Sequence, residues 1–225
     1  MTPPPLYEAL ASAVTFTLLD PELSNSQVIA GLETAKRYGV AVAAVRPCDM
    51  DAAARVLAGS AVLPGAVAGY PYGFQSTAVK LYEVRDLLRR GAKEVGVVIG
   101  IGRLLSREFQ HVQTELNQMT EACRGEGARL TAMLDVARLS DELKIIAYTC
   151  CERAEVDFVA ALDAWTPADV ALLRKHLPDE TGIQCGASSL DQALELQGLG
   201  AARVATSSVA MLDEWKRRIA ADATE

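Results

Sequence analysis

A chain of 225 residues, half of them apolar and 23% charged, can bury a full core without disulfides or a structural metal. The formal charge of -7, from 22 basic and 29 acidic side chains, argues against a nucleic-acid partner. Two histidines, and five cysteines without metal-ligand spacing, argue against a metal site and against triad or metal hydrolases.

No apolar run reaches the roughly 18 residues that span a bilayer. The start, MTPPPLYEAL, has no basic stretch followed by an apolar one. The expectation is a cytoplasmic chain with reduced thiols, no membrane contact and no cofactor.

Short β-rich apolar runs alternate with amphipathic helical stretches eight times. Strand 13–19 leads to helix 26–38, strand 40–45 to helix 51–58, strand 63–70 to helix 76–90 and strand 94–100 to helix 106–124. The pattern continues with strand 130–136 and helix 140–153, then strand 157–162 and helix 167–176. Strand 182–186 with helix 190–197 and strand 203–207 with helix 209–221 complete it. Ser, Thr and Pro stand where helices begin, and Gly39, Gly59, Gly91 and Gly125 stand where the first four end, as left-handed caps require. Runs such as VAVAAV and EVGVVIG are apolar on both faces, as parallel strands covered by helices are. Eight such units, with no phosphate fingerprint after the first strand, predict an α/β fold: a closed (β/α)8 TIM barrel forming a single domain over 1–225.

In such a barrel chemistry sits at the carboxyl ends of the strands. Arg46, Arg103 and Arg138 at those ends offer planar donors to carboxylate or phosphate. Asp135 and Asp163 form a carboxylate pair that can divide acid and base roles, or belong to an ion-paired rim. Cys185 reads as a nucleophile or as a buried, inert thiol, with no histidine beside it to activate it. Trp165 reads as a cover for the mouth or as a filling of its pocket.

Six segments in order resemble the deoxyribose-phosphate aldolase family. FTLLDPE at 16–22 is similar to H-T-L-L-K-P-E, and VRPCDMDAAARVL at 45–57 to that family's V-x-P segment and second helix. GYPYGFQSTAVKLYE at 69–83 resembles G-F-P-x-G-x-x-x-x-x-x-K-x-x-E, with Lys80 and Glu83 in place. GAKEVGVVIGIGRL at 91–104, EVDFVAALDAW at 155–165 and GAARVATSS at 200–208 match G-A-x-E-I-D-x-V-I-N-I-G-x-L, G-A-D-F-V-K-T-S-T-G and G-A-x-R-I-G-T-S in part. The resemblance implies a Schiff-base aldolase in which a strand-6 lysine attacks the aldehyde, assisted by a strand-4 aspartate and a strand-7 lysine. At those positions this chain has Ala160, Gly96 and Gln184. Thr131 and Thr15 replace a strand-5 lysine and a strand-1 aspartate. Alanine has no amine to form an imine.

The resemblance also implies a phosphate site of backbone N–H groups and hydroxyls after strands 7 and 8, here Gly186, Ala187, Ser207 and Ser208, where the alternative is that the serines only cap helices. It implies a homodimer as well. Three functions stay open: a non-catalytic barrel that binds a small anionic or phosphorylated metabolite or a partner chain, an enzyme with changed acid/base chemistry, and a residual aldehyde-lyase.

Overall fold

The computed structural model describes residues 12–162 and 165–222. Among these, eight parallel strands pair in chain order and close into a barrel. They are β1 (Val14–Leu18), β2 (Val42–Val45), β3 (Leu63–Ala68), β4 (Glu94–Val98), β5 (Arg129–Leu134), β6 (Phe158–Ala161), β7 (Gly182–Gly186) and β8 (Arg203–Thr206). Closure is visible at Thr15, which stands opposite Val42 of β2 on one side and Ala205 of β8 on the other.

Outside the barrel run α1 (Asn25–Tyr38), α2 (Met50–Val56), α3 (Thr77–Arg89), α4 (Ile101–Leu105), α5 (Phe109–Gly125), α6 (Asp141–Arg153), α7 (Pro167–His176), α8 (Leu190–Gly198) and α9 (Val209–Asp222). No described helix is long and apolar enough to cross a membrane.

The period-two alternation of each strand divides the interior from the helix layer. Phe16, Val45, Val97, Leu130, Val159 and Ile183 point outward into one continuous core. Helical stripes meet them there: Val28, Leu32 and Ala35 of α1, and Val112, Leu116, Met119 and Cys123 of α5, recur every three or four residues. Each large side chain so buried contributes about 1.5–3 kcal/mol.

The helix starts follow local chemistry. Ser24 and Thr166 form capping boxes with Gln27 and Asp169, and Pro167 occupies the first turn of α7. Gly39 closes α1 at φ 63°, a conformation that costs glycine nothing.

Two expectations are corrected. The helix expected over 106–124 begins at Phe109 as α5, and a short helix that was not expected, α4, precedes it; Arg107 turns the chain at φ 58° between the two. Gly125 is not a left-handed cap: α5 runs through it, and Gly127 takes the positive φ of 62°.

Candidate functional site at the carboxyl end of the barrel

The inward-facing residues form two levels. Near the strand starts, the Arg203 guanidinium donates to both carboxylate oxygens of Glu94, at 2.6 and 2.8 Å, with both side chains almost fully buried. Thr131 Oγ1 donates to the same carboxylate at 3.1 Å, and the guanidinium lies 3.8 Å from the centre of the Phe158 ring. Nearby, Thr15 Oγ1 donates to Gln184 Oε1 at 2.7 Å. A cavity of about 30 Å3 touches Thr15, Glu94, Thr131 and Gln184, space for about one water.

Toward the mouth the interior is apolar. Val67, Val98, Met133 and Ala160 pack together, with Leu19 and Leu162 against them. Ala160 is 1% exposed. A Cβ built on Gly96 would lie 2.8 Å from Met133 Sδ, so the thioether occupies the space into which a longer residue 96 would project.

Above this plug the mouth holds two cavities. One, of about 500 Å3, lies between the ends of β7 and β8 and brings together Gly186, Ala187, Ser207 and Ser208, with Thr17 and Gln184 deeper in. The N-termini of α8 and α9 both start at its edge. Ser189 Oγ accepts from Gln192 N–H at 3.3 Å and Ser208 Oγ accepts from Met211 N–H at 3.1 Å, so each helix has a serine cap. The Ala187 N–H donates to Ala205 O at 3.0 Å, and the Ser188 N–H to Gln192 Oε1 at 3.0 Å. Of the first-turn donors of α9, those of Val209 and Ala210 have no intrahelical acceptor. Among the described residues, the side chains lining this cavity carry no charge.

The other cavity, about 710 Å3, lies over the ends of β3, β4 and β5 and is lined by Arg103, Asp135 and Arg138. Arg138 Nε pairs with Asp135 Oδ2 at 3.0 Å, and Arg103 pairs with Glu108. The candidate arginines are therefore not at the β7/β8 cradle. Arg46 is in neither cavity's lining. It binds Asp49 Oδ2 at 2.7 Å and the carbonyls of Asp20, Pro21 and Leu23, clamping the loop after β1. Asp163 lies outside the described residues.

All six lysines are placed. Lys36, Lys93, Lys175 and Lys216 are exposed, and Lys144 pairs with Asp169 and Asp141 on the outer helices. Lys80, 1% exposed on α3, donates to Val98 O at 3.0 Å and pairs with Glu115. Glu115 in turn accepts from Thr77 Oγ1 at 2.7 Å. Cys185 faces the helix layer, where burial pushes its thiol up to about 12, so it is protonated at neutral pH. Trp165 neither covers nor fills the mouth: it packs in the same layer, its ring 6.4 Å from that of Tyr148, and donates to Gln184 O at 2.9 Å. Among the described residues, no group of three or more His, Cys, Asp or Glu side chains is placed to hold a metal ion.

Sequence reasoning missed the Glu94–Arg203 pair. Both residues read as charged strand entrances, and the sign that could have found them is that each begins an otherwise apolar run.

No protein-family model matches this chain. The deoxyribose-phosphate aldolase of Streptococcus sanguinis is 34% identical over 202 residues, covering 87% of this chain and 91% of that protein. The chain belongs to the deoxyribose-phosphate aldolase family. The deoxyribose-phosphate aldolase of Rhodopirellula baltica is 28% identical over 227 residues, covering 97% and 94% of the two chains. Among solved structures, a putative deoxyribose-phosphate aldolase from Coccidioides immitis superposes with a TM-score of 0.87 at 23% identity, over 93% of this chain and 87% of that one. The deoxyribose phosphate aldolase of Aeropyrum pernix, described as a tetramer, gives 0.84 at 26% identity, over 93% and 92%. The deoxyribose-phosphate aldolase fold thus extends over most of this chain, with the interior just described inside it.

Proposed function

We propose that this member of the deoxyribose-phosphate aldolase family has no Schiff-base chemistry and is a non-catalytic barrel that binds a small phosphorylated metabolite at the β7/β8 end of its mouth. In this reading it works in the cytoplasm as a single domain over 1–225, without cofactor or metal, and pairs as a homodimer. The observation that carries the reading is the upper interior. The positions the resemblance assigns to the amine, the acid and the second lysine hold Ala160, Gly96 and Gln184, and the space between them is filled by Met133, Val67 and Val98. An imine needs an uncharged amine beside the carbonyl. The one lysine buried near the mouth, Lys80, has its ammonium ion-paired to Glu115 and hydrogen-bonded to a carbonyl.

Support for the anion comes from the convergence of two helix N-termini on one cavity of about 500 Å3. Partial positive charge at a helix start favours an anion by about 0.3–1 kcal/mol at an exposed site, and unsatisfied first-turn N–H groups supply donors. Among the described residues no cationic side chain lines the cavity, so binding in this reading rests on neutral donors and depends only weakly on salt.

Thermal denaturation with 2-deoxyribose 5-phosphate and with inorganic phosphate tests this. A ligand at about a hundredfold excess over its Kd stabilises by about 2.7 kcal/mol. A Cβ at Gly186 meets nothing within 4 Å, so Gly186→Leu fills the cavity and leaves the barrel intact. The reading expects stabilisation of the wild type and none of Gly186→Leu. A wild type that neither compound stabilises overturns it.

A further inference from the structure

The larger mouth cavity, over β3, β4 and β5, differs from the cradle in having both cationic side chains and exposed aromatic rings. Arg103 and Arg138 line it in the segments after β4 and β5, with side chains 51% and 73% exposed. Arg103 meets Glu108 through Nη1 and Arg138 meets Asp135 through Nε. Among the described residues, the remaining N–H donors of both planar forks have no protein acceptor. His111, exposed in the first turn of α5, lines the same cavity. Lys80 adds nothing to this set, since its ammonium is held by Glu115 and Val98 O.

The rings are Tyr72 and Phe74. They lie 5.6 Å apart with planes inclined by 11°, and they are 65% and 78% exposed. Aromatic rings of that size are ordinarily buried, and an exposed pair marks a contact surface. The backbone that carries them is pinned. The Gly69 N–H donates to Glu83 Oε2 at 2.8 Å. Gly73 has φ 67°, and a Cβ there would sit 2.7 Å from Val98 O, while a Cβ on Gly100 would sit 2.9 Å from Gly73 O. The loop is thus pressed onto the end of β4, and a platform held in place before a ligand arrives loses little freedom when one binds. A purely apolar occupant would use the rings and leave the two guanidinium forks idle.

We infer that this cavity is a second binding site, separate from the β7/β8 cradle, for an aromatic anion of the nucleoside monophosphate class. The base stacks on the Tyr72–Phe74 pair, and the phosphate accepts from the open donors of Arg103 and Arg138. Every base has a π-face, so the platform does not choose among bases. The volume of about 710 Å3 is within the range of small-molecule sites. The formal charge of -7 argues against a longer nucleic-acid strand in the same place.

Isothermal titration calorimetry on the full chain tests the inference with adenosine 5′-monophosphate and its two halves, adenosine and ribose 5-phosphate. The site predicts that the monophosphate binds at least about tenfold tighter than either half, because each half leaves the rings or the guanidinium forks unused. Phe74→Ala and Arg103→Gln change exposed side chains where folding is not at stake, and each is expected to weaken the monophosphate about tenfold. Phe74 lines this cavity and not the cradle, so its variant reports on this site alone. Binding persists in Gly186→Leu of native circular dichroism, so failure here and failure of the anion cradle are separate results. No binding of the monophosphate, a half that binds as tightly as the whole, affinity undiminished in either variant, or loss of binding in folded Gly186→Leu each overturns it.

Discussion

At the amino-terminal level of the barrel interior, β4, β5, β6 and β8 contribute Glu94, Thr131, Phe158 and Arg203, and the charges are matched by bonds of 2.6–3.1 Å. Two residues further along three of those strands stand Gly96, Met133 and Ala160, and the polar chemistry has ended. Both levels are buried, yet only the lower one keeps charged side chains. A buried charge persists where its partner is fixed and all its neighbours complete the bonding. Where a barrel has no such closed set, burial favours apolar filling, and Met133 supplies it with a flexible thioether that fits an irregular gap.

The strongest way to break this comparison is to remove one half of the lower pair. Arg203→Ala leaves Glu94 buried without its counter-ion and is expected to cost about 3–5 kcal/mol in urea denaturation. Replacing both, as Glu94→Leu with Arg203→Met, should recover most of that loss, because an apolar pair of similar volume is often no worse than the ion pair. If the single variant loses under about 1 kcal/mol, the lower level is not the matched set described here.

A smaller effect is expected from bringing charge to the upper level. Ala160→Lys pushes a long side chain among Val67, Val98 and Met133, an overpacking cost of about 1–3 kcal/mol. Its amine would have a depressed pKa, which helps a nucleophile, but Gly96 and Gln184 provide no acid and no neighbouring cation. General acid–base assistance is worth about 10²–10⁴-fold, so retro-aldol turnover of 2-deoxyribose 5-phosphate should trail an active relative by at least that factor. Gly96→Asp and Gln184→Lys added to it should raise the rate, once the Met133 thioether has moved aside for the new Cβ.

Thr15→Val is the mildest probe. It removes the donor to Gln184 Oε1, but the adjoining cavity of about 30 Å3 can admit a water in its place, so the loss should stay near 1 kcal/mol. Differential scanning calorimetry reads it directly.

Much of this architecture is legible in the sequence, because strand burial on both faces and helix capping are local signals. The runs at 182–186 and 167–176 have the bounds of β7 and α7, and Thr166-Pro167 announces the latter. Where the chain turns without glycine or proline, at Arg107, no local signal exists, and the short α4 ahead of that turn was not expected. The site divides the same way. Gly186, Ala187, Ser207 and Ser208 follow strand ends and meet in one cavity, as neighbours in a barrel must. Arg46, Arg103 and Arg138 also follow strand ends, but which acid each would bind depends on neighbouring loops and helices, and those acids draw them away from the cradle. The Glu94–Arg203 pair spans 109 positions and exists only because the sheet closes.

The proposal that Schiff-base chemistry is gone has one direct measurement. The full chain is incubated with acetaldehyde or 2-deoxyribose 5-phosphate, reduced with borohydride, and its intact mass is compared with that of an active family member treated alongside. The upper interior predicts an unmodified mass here and a stoichiometric adduct in the relative. A stoichiometric adduct on this chain, mapped to Lys80, would contradict the account, because that amine is the buried one at the mouth and would then have left Glu115 to attack a carbonyl.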